Sequence, residues 1–253
     1  MSQIYHDLLT KKAQGKKSLA LLLDPDKVTP TVLGELLAGF VHRSPAYLMV
    51  GGSLISSDRL GWLVGTLKAH PHTRSIPLII FPGSYWHIHP QADGILLLSL
   101  ISGRNPDYLI GNHVIAAPLL KRTSLEILPT GYILVHCGNL TTVAYMSNTQ
   151  PIPYTKDDVA LCTALAGEML GLKLIYMDGG SGALQPISPT MIAQVSQHLT
   201  VPLIVGGGIR STESLETAFK AGADLVVIGT AVEQNPSLLS ELLACVEQLN
   251  ATK

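Results

Sequence analysis

Short, almost wholly apolar runs recur along the chain, each followed by a stretch in which hydrophobic residues return at helical spacing. Runs that are apolar at successive positions, rather than at alternate ones, are the pattern of parallel strands buried on both faces. They predict eight strands: SLALLLD at 18–24, AYLMVGG at 46–52, IPLIIF at 76–81, DGILLLSL at 93–100, GYILVHC at 131–137, KLIYMD at 173–178, PLIVGGG from 202 and GADLVVIG from 222. Helices are expected over 30–42, 56–70, 106–120, 157–170, 189–199, 212–221 and 236–249. Eight strands alternating with helices, and no linker between them, specify one (β/α)8 TIM barrel over residues 1–253.

One interval breaks the alternation. Between the third and fourth strands only PGSYWHIHPQA at 82–92 is available, with two prolines, a glycine and two large aromatics. A crossover that includes a helix needs about a dozen residues or more. The barrel is therefore expected to lack a regular third helix. Tyr85 and Trp86 would floor an apolar cleft there, unless the loop simply covers the core.

The C-terminal third carries the clearest chemical signal. PLIVGGGIRS at 202–211 and GADLVVIGTA at 222–231 each read as a buried strand that ends in glycine and opens into a helix. Gly206, Gly207 and Gly208, with Gly229 and Thr230 one unit later, would leave backbone N–H groups bare at two helix N-termini, an arrangement that binds phosphate. In eight-stranded barrels the loops after strands seven and eight form the usual phosphate site.

Composition narrows the function classes. Hydrophobic residues make up 47% of the chain, but runs such as LALLL at 19–23 and ILLLSLI at 95–101 are too short to span a bilayer. A net charge of −1 gives no global attraction to nucleic acid or anionic lipid, so a charged ligand has to be held locally. The N-terminal MSQIYHDLLTKKAQGKK has neither the apolar core nor the cleavage site of a signal peptide, which makes the cytoplasm the expected compartment. Cys137, Cys162 and Cys245 are too scattered for a zinc knuckle or a redox pair and read as buried free thiols. The pairs His70/His72 and His87/His89 have a spacing that metal sites use, but no cysteine or carboxylate cluster lies beside them, which favours loop histidines.

Several motifs together carry a resemblance that covers nearly the whole chain. LLLDPDK at 21–27, VGGS at 50–53, SGRNPDYLIG at 102–111, PTGYILV at 129–135, SNTQPIP at 147–153, IYMDGGSGA at 175–183 and the GGGIRS and IGTA segments resemble the geranylgeranylglyceryl phosphate synthase family. The resemblance is closest to the branch that includes the archaeal enzymes, and more distant to the heptaprenylglyceryl phosphate synthases. It implies a barrel without a regular third helix. It further implies a magnesium-dependent transferase joining the C3 hydroxyl of sn-glycerol 1-phosphate to the C1 carbon of a polyprenyl diphosphate, in an enzyme that forms dimers or hexamers.

The resemblance assigns roles residue by residue. Asp24 and Ser53, at the ends of strands one and two, match the family's magnesium positions; by themselves they also read as a turn residue before Pro25 and a helix N-cap. Tyr176, Asp178, Gly179, Gly180 and Ser181 match the residues that contact glycerol phosphate, and Asp178 the acidic residue that takes the hydroxyl proton. The family usually has glutamate there, so Asp178 is one methylene short. Lys27 and Arg104 are candidates for the diphosphate, or else a surface turn residue and a salt-bridging loop residue. Lys173, at the start of strand six, belongs to the opposite face of the barrel. A flavin mononucleotide or other phosphometabolite barrel, a binding protein without turnover, and a synthase taking a heptaprenyl tail are the alternatives. The resemblance favours a twenty-carbon tail; Tyr85, Trp86, Tyr108 and Leu109 are the candidates for its length gauge. A greasy product implies passing contact with a membrane surface.

Overall fold

In each strand, successive side chains point to opposite faces, so an all-apolar run has to be covered on both sides. The computed structural model, which describes residues 3–55 and 59–251, meets this demand by closure. Strands β1 (Ser18–Leu23), β2 (Tyr47–Gly51), β3 (Leu78–Phe81), β4 (Gly94–Leu100), β5 (Glu126–Leu134), β6 (Leu174–Asp178), β7 (Leu203–Gly206) and β8 (Leu225–Ile228) form a closed barrel in chain order. Every neighbouring pair is parallel, including β1 with β8. Ala20, Met49, Ile79, Leu96, Leu128, Leu174, Ile204 and Leu225 fill the interior, while Leu19, Leu21, Leu48, Val50, Leu78 and Ile80 pack outward against the helices. Each large apolar side chain so buried contributes about 1.5–3 kcal/mol.

The helices are α1 (Gln3–Ala13), α2 (Pro30–Gly39), α3 (Leu60–Ala69), α4 (Asn112–Leu120), α5 (Thr142–Ser147), α6 (Asp157–Met169), α7 (Pro189–Ser196), α8 (Thr212–Lys220), α9 (Thr230–Gln234) and α10 (Leu238–Ala251). A π-helical turn, Asp107–Gly111, leads into α4 where the sequence predicts one continuous helix. The first residues expected in the helix over 56–70 lie outside the described residues. Three helices escape the sequence reading. α5 and α9 are too short to show a period, and α1 presents only Ile4 and Leu8 as buried residues. Those two side chains join the interior cluster at the N-terminal end of the barrel, so α1 stoppers it. The Glu126 carboxylate fixes the stopper by accepting from the N–H groups of Ile4 at 2.8 Å and Tyr5 at 2.7 Å. β5 starts at Glu126, ahead of its expected start at 131, because its backbone already pairs with β4 there, Glu126 opposite Gly94.

No helix joins β3 to β4. Pro82 and Pro90 limit helical hydrogen bonding in the connection, and Gly83 passes so close to β2 that a Cβ would run into the Gly52 carbonyl oxygen. The far end is tied down by Asp93, which accepts from the Leu78 N–H at 2.7 Å and pairs with Lys68 at 2.8 Å.

Candidate active site

The C-terminal ends of the strands open into a polar cavity of about 340 Å3. Asp24 and Lys27 reach it from the loop after β1, Ser53 from β2, Asp178, Gly180 and Ser181 from β6, Gly207 and Arg210 from β7, and Gly229, Thr230 and Glu233 from β8. The loop glycines bring main chain close to the cavity, and they also limit the room for side chains. Gly207 has φ of 84°, and a Cβ there would lie 2.9 Å from an Asp178 carboxylate oxygen.

Asp178 ends β6 and is buried. One carboxylate oxygen accepts from the Gly180 N–H at 2.8 Å, and the other accepts from the Tyr132 hydroxyl. Burial raises its pKa, against the lowering effect of these two bonds. Tyr176 is two residues earlier on the same inward face, with its hydroxyl beneath Gly206. Tyr132, Tyr176 and Phe81 pack edge to face, with ring centroids 5.5–6.1 Å apart, and make the floor beneath the carboxylate.

The end expected to bind phosphate differs from expectation in one respect. The helix after β7 starts at Thr212, and its N-terminus is closed by a capping box between Ser211 and Ser214. α8 therefore has its first N–H groups engaged by its own side chains. What faces the cavity is the left-handed turn at Gly207 and Gly208, whose N–H groups donate to no protein acceptor among the described residues. Thr230 and Ala231 join it as the opening residues of α9. Arg210 stands beside this turn, its guanidinium donating to the Ala183 carbonyl at 2.8 Å. The Ser181 and Thr230 hydroxyls are 3.2 Å apart, and the Lys27 ammonium is 3.4 Å from Ser181.

Asp24 serves both as turn residue and as cavity wall. Its Oδ1 accepts from the Asp26 N–H at 3.0 Å, and its Oδ2 pairs with the Lys27 ammonium at 2.9 Å. Its own N–H donates to the Glu233 carboxylate at 3.1 Å, and burial raises the pKa of Glu233. A Cβ on Gly52 would come within 3.0 Å of Asp24 Oδ2, which sets Asp24 beside the backbone that carries Ser53. Among the described residues no three His, Cys, Asp or Glu side chains converge as a metal cage. One carboxylate, a hydroxyl and a second carboxylate nearby are hard oxygen donors that leave places for water and phosphate oxygens, and such a set fits magnesium.

A second cavity, almost wholly apolar, opens in the gap left by the missing helix. It is lined by Pro82, Gly83, Tyr85 and Ile88 of the connection, Ile95, Leu97 and Leu98 of β4, Tyr108, and His113 and Ala116 of α4. Burial against this wall lowers the pKa of His113. Ser53 and Phe81 line both cavities, so the two meet at the end of β2 and β3. Tyr132 also lines the apolar cavity while its hydroxyl holds Asp178, and so forms part of the wall between them.

Most of the expected residues are thus assembled in one place. Gly179 and Gly206 lie just behind the cavity wall, joined by the Gly179 N–H to the Gly206 carbonyl at 3.0 Å. Arg104 is not brought in: it lines neither cavity, is exposed, and donates to the Gly103 carbonyl at 2.7 Å. Trp86 does not floor the cleft. It is 67% exposed and meets the Tyr85 ring at a tilt of 46°, because the short connection turns it away from the barrel. Leu109 is likewise absent from the lining. Cys162 is exposed on α6, unlike Cys137 and Cys245. Lys173 lies at the opposite end, 5.2 Å from the Tyr5 ring centre. The sequence reading missed Tyr132, Arg210 and Glu233. Arg210 adjoins the glycine motif, whereas Tyr132 becomes legible only once Tyr132 is known to pair with Tyr176 across β5 and β6.

Comparison with known proteins shows the family and the fold. The geranylgeranylglyceryl phosphate synthase of Spirosoma linguale is 53% identical over 239 residues, 94% of this chain and 95% of that one. The enzyme of the same name from Thermococcus kodakarensis is 40% identical over 228 residues, covering 90% of this chain and 89% of its own. The crystal structure of (S)-3-O-geranylgeranylglyceryl phosphate synthase from Thermoplasma acidophilum, in complex with substrate sn-glycerol-1-phosphate, superposes with a TM-score of 0.89 at 31% identity, covering 98% of this chain and all of that one. With the PcrB family model matched from residue 12 to 247, the whole barrel and its two joined cavities included, this chain belongs to the PcrB family.

Proposed function

We propose that the protein is a prenyltransferase that joins the C3 hydroxyl of sn-glycerol 1-phosphate to the C1 carbon of a polyprenyl diphosphate, with geranylgeranyl diphosphate as donor. The observation that carries this reading is the pair of cavities, one polar and glycine-lined, one apolar, that meet at Ser53 and Phe81. A phosphate head and a long tail each find a matching environment, and the junction is where the bond between them would form.

In this reading the phosphate of glycerol phosphate rests on Gly207, Gly208, Thr230 and Ala231, with Ser181 and Arg210 at its edge. Tyr176, Gly179, Gly180 and Gly206 shape the floor on which the glycerol lies. Asp178 faces the C3 hydroxyl and accepts its proton as the oxygen bonds to C1 of the prenyl chain; the C1–oxygen bond to diphosphate breaks, and the diphosphate leaves with the bonding pair. Burial favours this exchange because a raised carboxylate pKa makes Asp178 a stronger base. Tyr132 and Gly180 hold the carboxylate in place for it. Asp24 and Ser53, with Glu233 nearby, would hold magnesium, whose charge offsets that of the departing diphosphate. Lys27 adds positive charge at the same mouth.

The apolar cavity takes the tail, with Tyr85 and Tyr108 against it. Ile110 of the π-helical turn, Val114 and Ile115 of α4 and Tyr145 of α5 are exposed; they suit a homo-oligomer contact, and a passing membrane contact for the product. Among the described residues no helix is long and apolar enough to cross a membrane.

Incubation with labelled sn-glycerol 1-phosphate, geranylgeranyl diphosphate and magnesium should give an ether-linked product. Asp24→Ala should lower turnover by about 100-fold or more while glycerol phosphate still binds. A wild-type protein that forms no product would overturn the reading, and a fully active Asp24→Ala variant would remove Asp24 from it.

A further inference from the structure

Lys27 stands between the two halves of the polar cavity. Its ammonium is 2.9 Å from Asp24 Oδ2 on the β1 side and 3.4 Å from Ser181 Oγ on the β6 side, and Ser181 is in turn 3.2 Å from the Thr230 hydroxyl at the start of α9. One flexible cation thus touches the carboxylate at the metal end and borders the hydroxyls at the phosphate end. About half of the Lys27 side chain is exposed, at 49%, whereas that of Asp24 is 13% exposed. The lysine is therefore the partner free to swing, and the carboxylate is the fixed one.

We propose that Lys27 is a shared cation that couples the two subsites: it rests on Asp24 in the free protein, and turns to the phosphate beside Ser181 and Thr230 once a divalent cation occupies the Asp24 carboxylate. This rests on the proposed assignment of the two subsites. The argument is electrostatic. While Asp24 holds Lys27, much of the ammonium's charge is cancelled, and a phosphate anion approaching Ser181 meets a neutral pair. When Asp24 is engaged by another cation, repulsion and the loss of its partner release Lys27, and a phosphate next to the Ser181 hydroxyl that the ammonium already borders is an anion within its reach. Binding at one end then strengthens binding at the other, and by linkage the effect is mutual. An exposed ion pair is a weak one, so the coupling should be modest, about five-fold.

The test is calorimetry of sn-glycerol 1-phosphate binding, with magnesium and with EDTA, to the full-length wild type, Lys27→Met and Asp24→Asn. Wild type should bind about five-fold more tightly with magnesium. Lys27→Met should bind weakly in both conditions, without that gain. Asp24→Asn should bind tightly even in EDTA, because its lysine no longer has the Asp24 carboxylate to hold, and should gain nothing from magnesium. A Lys27→Met variant that keeps the full magnesium gain, or an Asp24→Asn variant no tighter than wild type in EDTA, overturns the shared-cation role while leaving the prenyltransferase reading intact. If wild type binds no glycerol phosphate under either condition, the subsite assignment itself fails.

Discussion

In the proposed reaction Asp178 takes the proton, and its surroundings set both its basicity and its cost to the fold. A carboxyl whose pKa is higher in the folded protein than in the unfolded chain contributes most stability at low pH, and loses it as pH rises through the folded value, because the native state must then hold a buried charge. Burial raises the Asp178 pKa, so this sign applies. Asp178→Asn should therefore melt at a higher temperature than wild type at neutral pH, with the difference closing as pH is taken down toward about 4. Turnover of the same variant should fall by about 100-fold or more, since an amide accepts no proton. Wild-type turnover should rise with pH through a value above the ordinary carboxylate range. Asp178→Glu tests the missing methylene. Both oxygens of Asp178 already have donors, the Tyr132 hydroxyl and the Gly180 N–H, so a longer side chain has to abandon at least one of them. It should lose at least about ten-fold in turnover; a Glu variant as fast as wild type would show that the floor adapts.

At the scale of elements, the proposed phosphate end is made by a turn and a short helix. Sequence reasoning expects bare helix starts after both β7 and β8, but Ser211 and Ser214 close α8, and the N–H groups left facing the cavity are those of the Gly207–Gly208 turn and the start of α9. Gly207→Val puts a branched side chain into a backbone with φ of 84°, against the Gly179 nitrogen at 2.8 Å, where L side chains are strained. The expected result is a dissociation constant for glycerol 1-phosphate raised by about ten-fold or more, read by calorimetry on protein whose circular dichroism is unchanged. The missing helix after β3 works the other way. It was legible because two prolines and Gly83 fall in a connection too short for a helix, while the inward aim of Tyr85 and the outward aim of Trp86 were not, since adjacent aromatics in a loop have no period to assign them.

For the whole molecule, the barrel has one end that carries the candidate site and one structural end. α1 stoppers the structural end with Ile4 and Leu8, and Glu126 caps it. Glu126→Ala leaves the N–H groups of Ile4 and Tyr5 without their carboxylate, at a cost of about 1–2 kcal/mol. In a chain of this size that should lower the melting temperature by about 2–8 °C. Turnover at temperatures where the protein stays folded should be unchanged, because the substitution lies at the far end of the strands from Asp178. A loss of activity without a loss of stability would mean that the two ends are coupled.

The eight strands, their order around the barrel, and the gap after β3 follow from the sequence alone, because an unbroken apolar run is stable only when covered on both faces and a short proline-bearing connection has no room for a helix. Asp24, Ser53, Asp178 and the glycines of the last two loops could be placed at one end for the same reason: residues at the C-terminal ends of parallel strands in a closed barrel have to converge. What tertiary structure alone decided is which side chains meet across that end. Tyr132 reaches Asp178 through the register of β5 on β6, Glu233 reaches the Asp24 N–H from a helix of five residues, Lys27 lies between Asp24 and Ser181, and Arg104 turns away. Such pairings depend on register and loop path over long sequence separations, and local hydrophobic pattern carries no record of either.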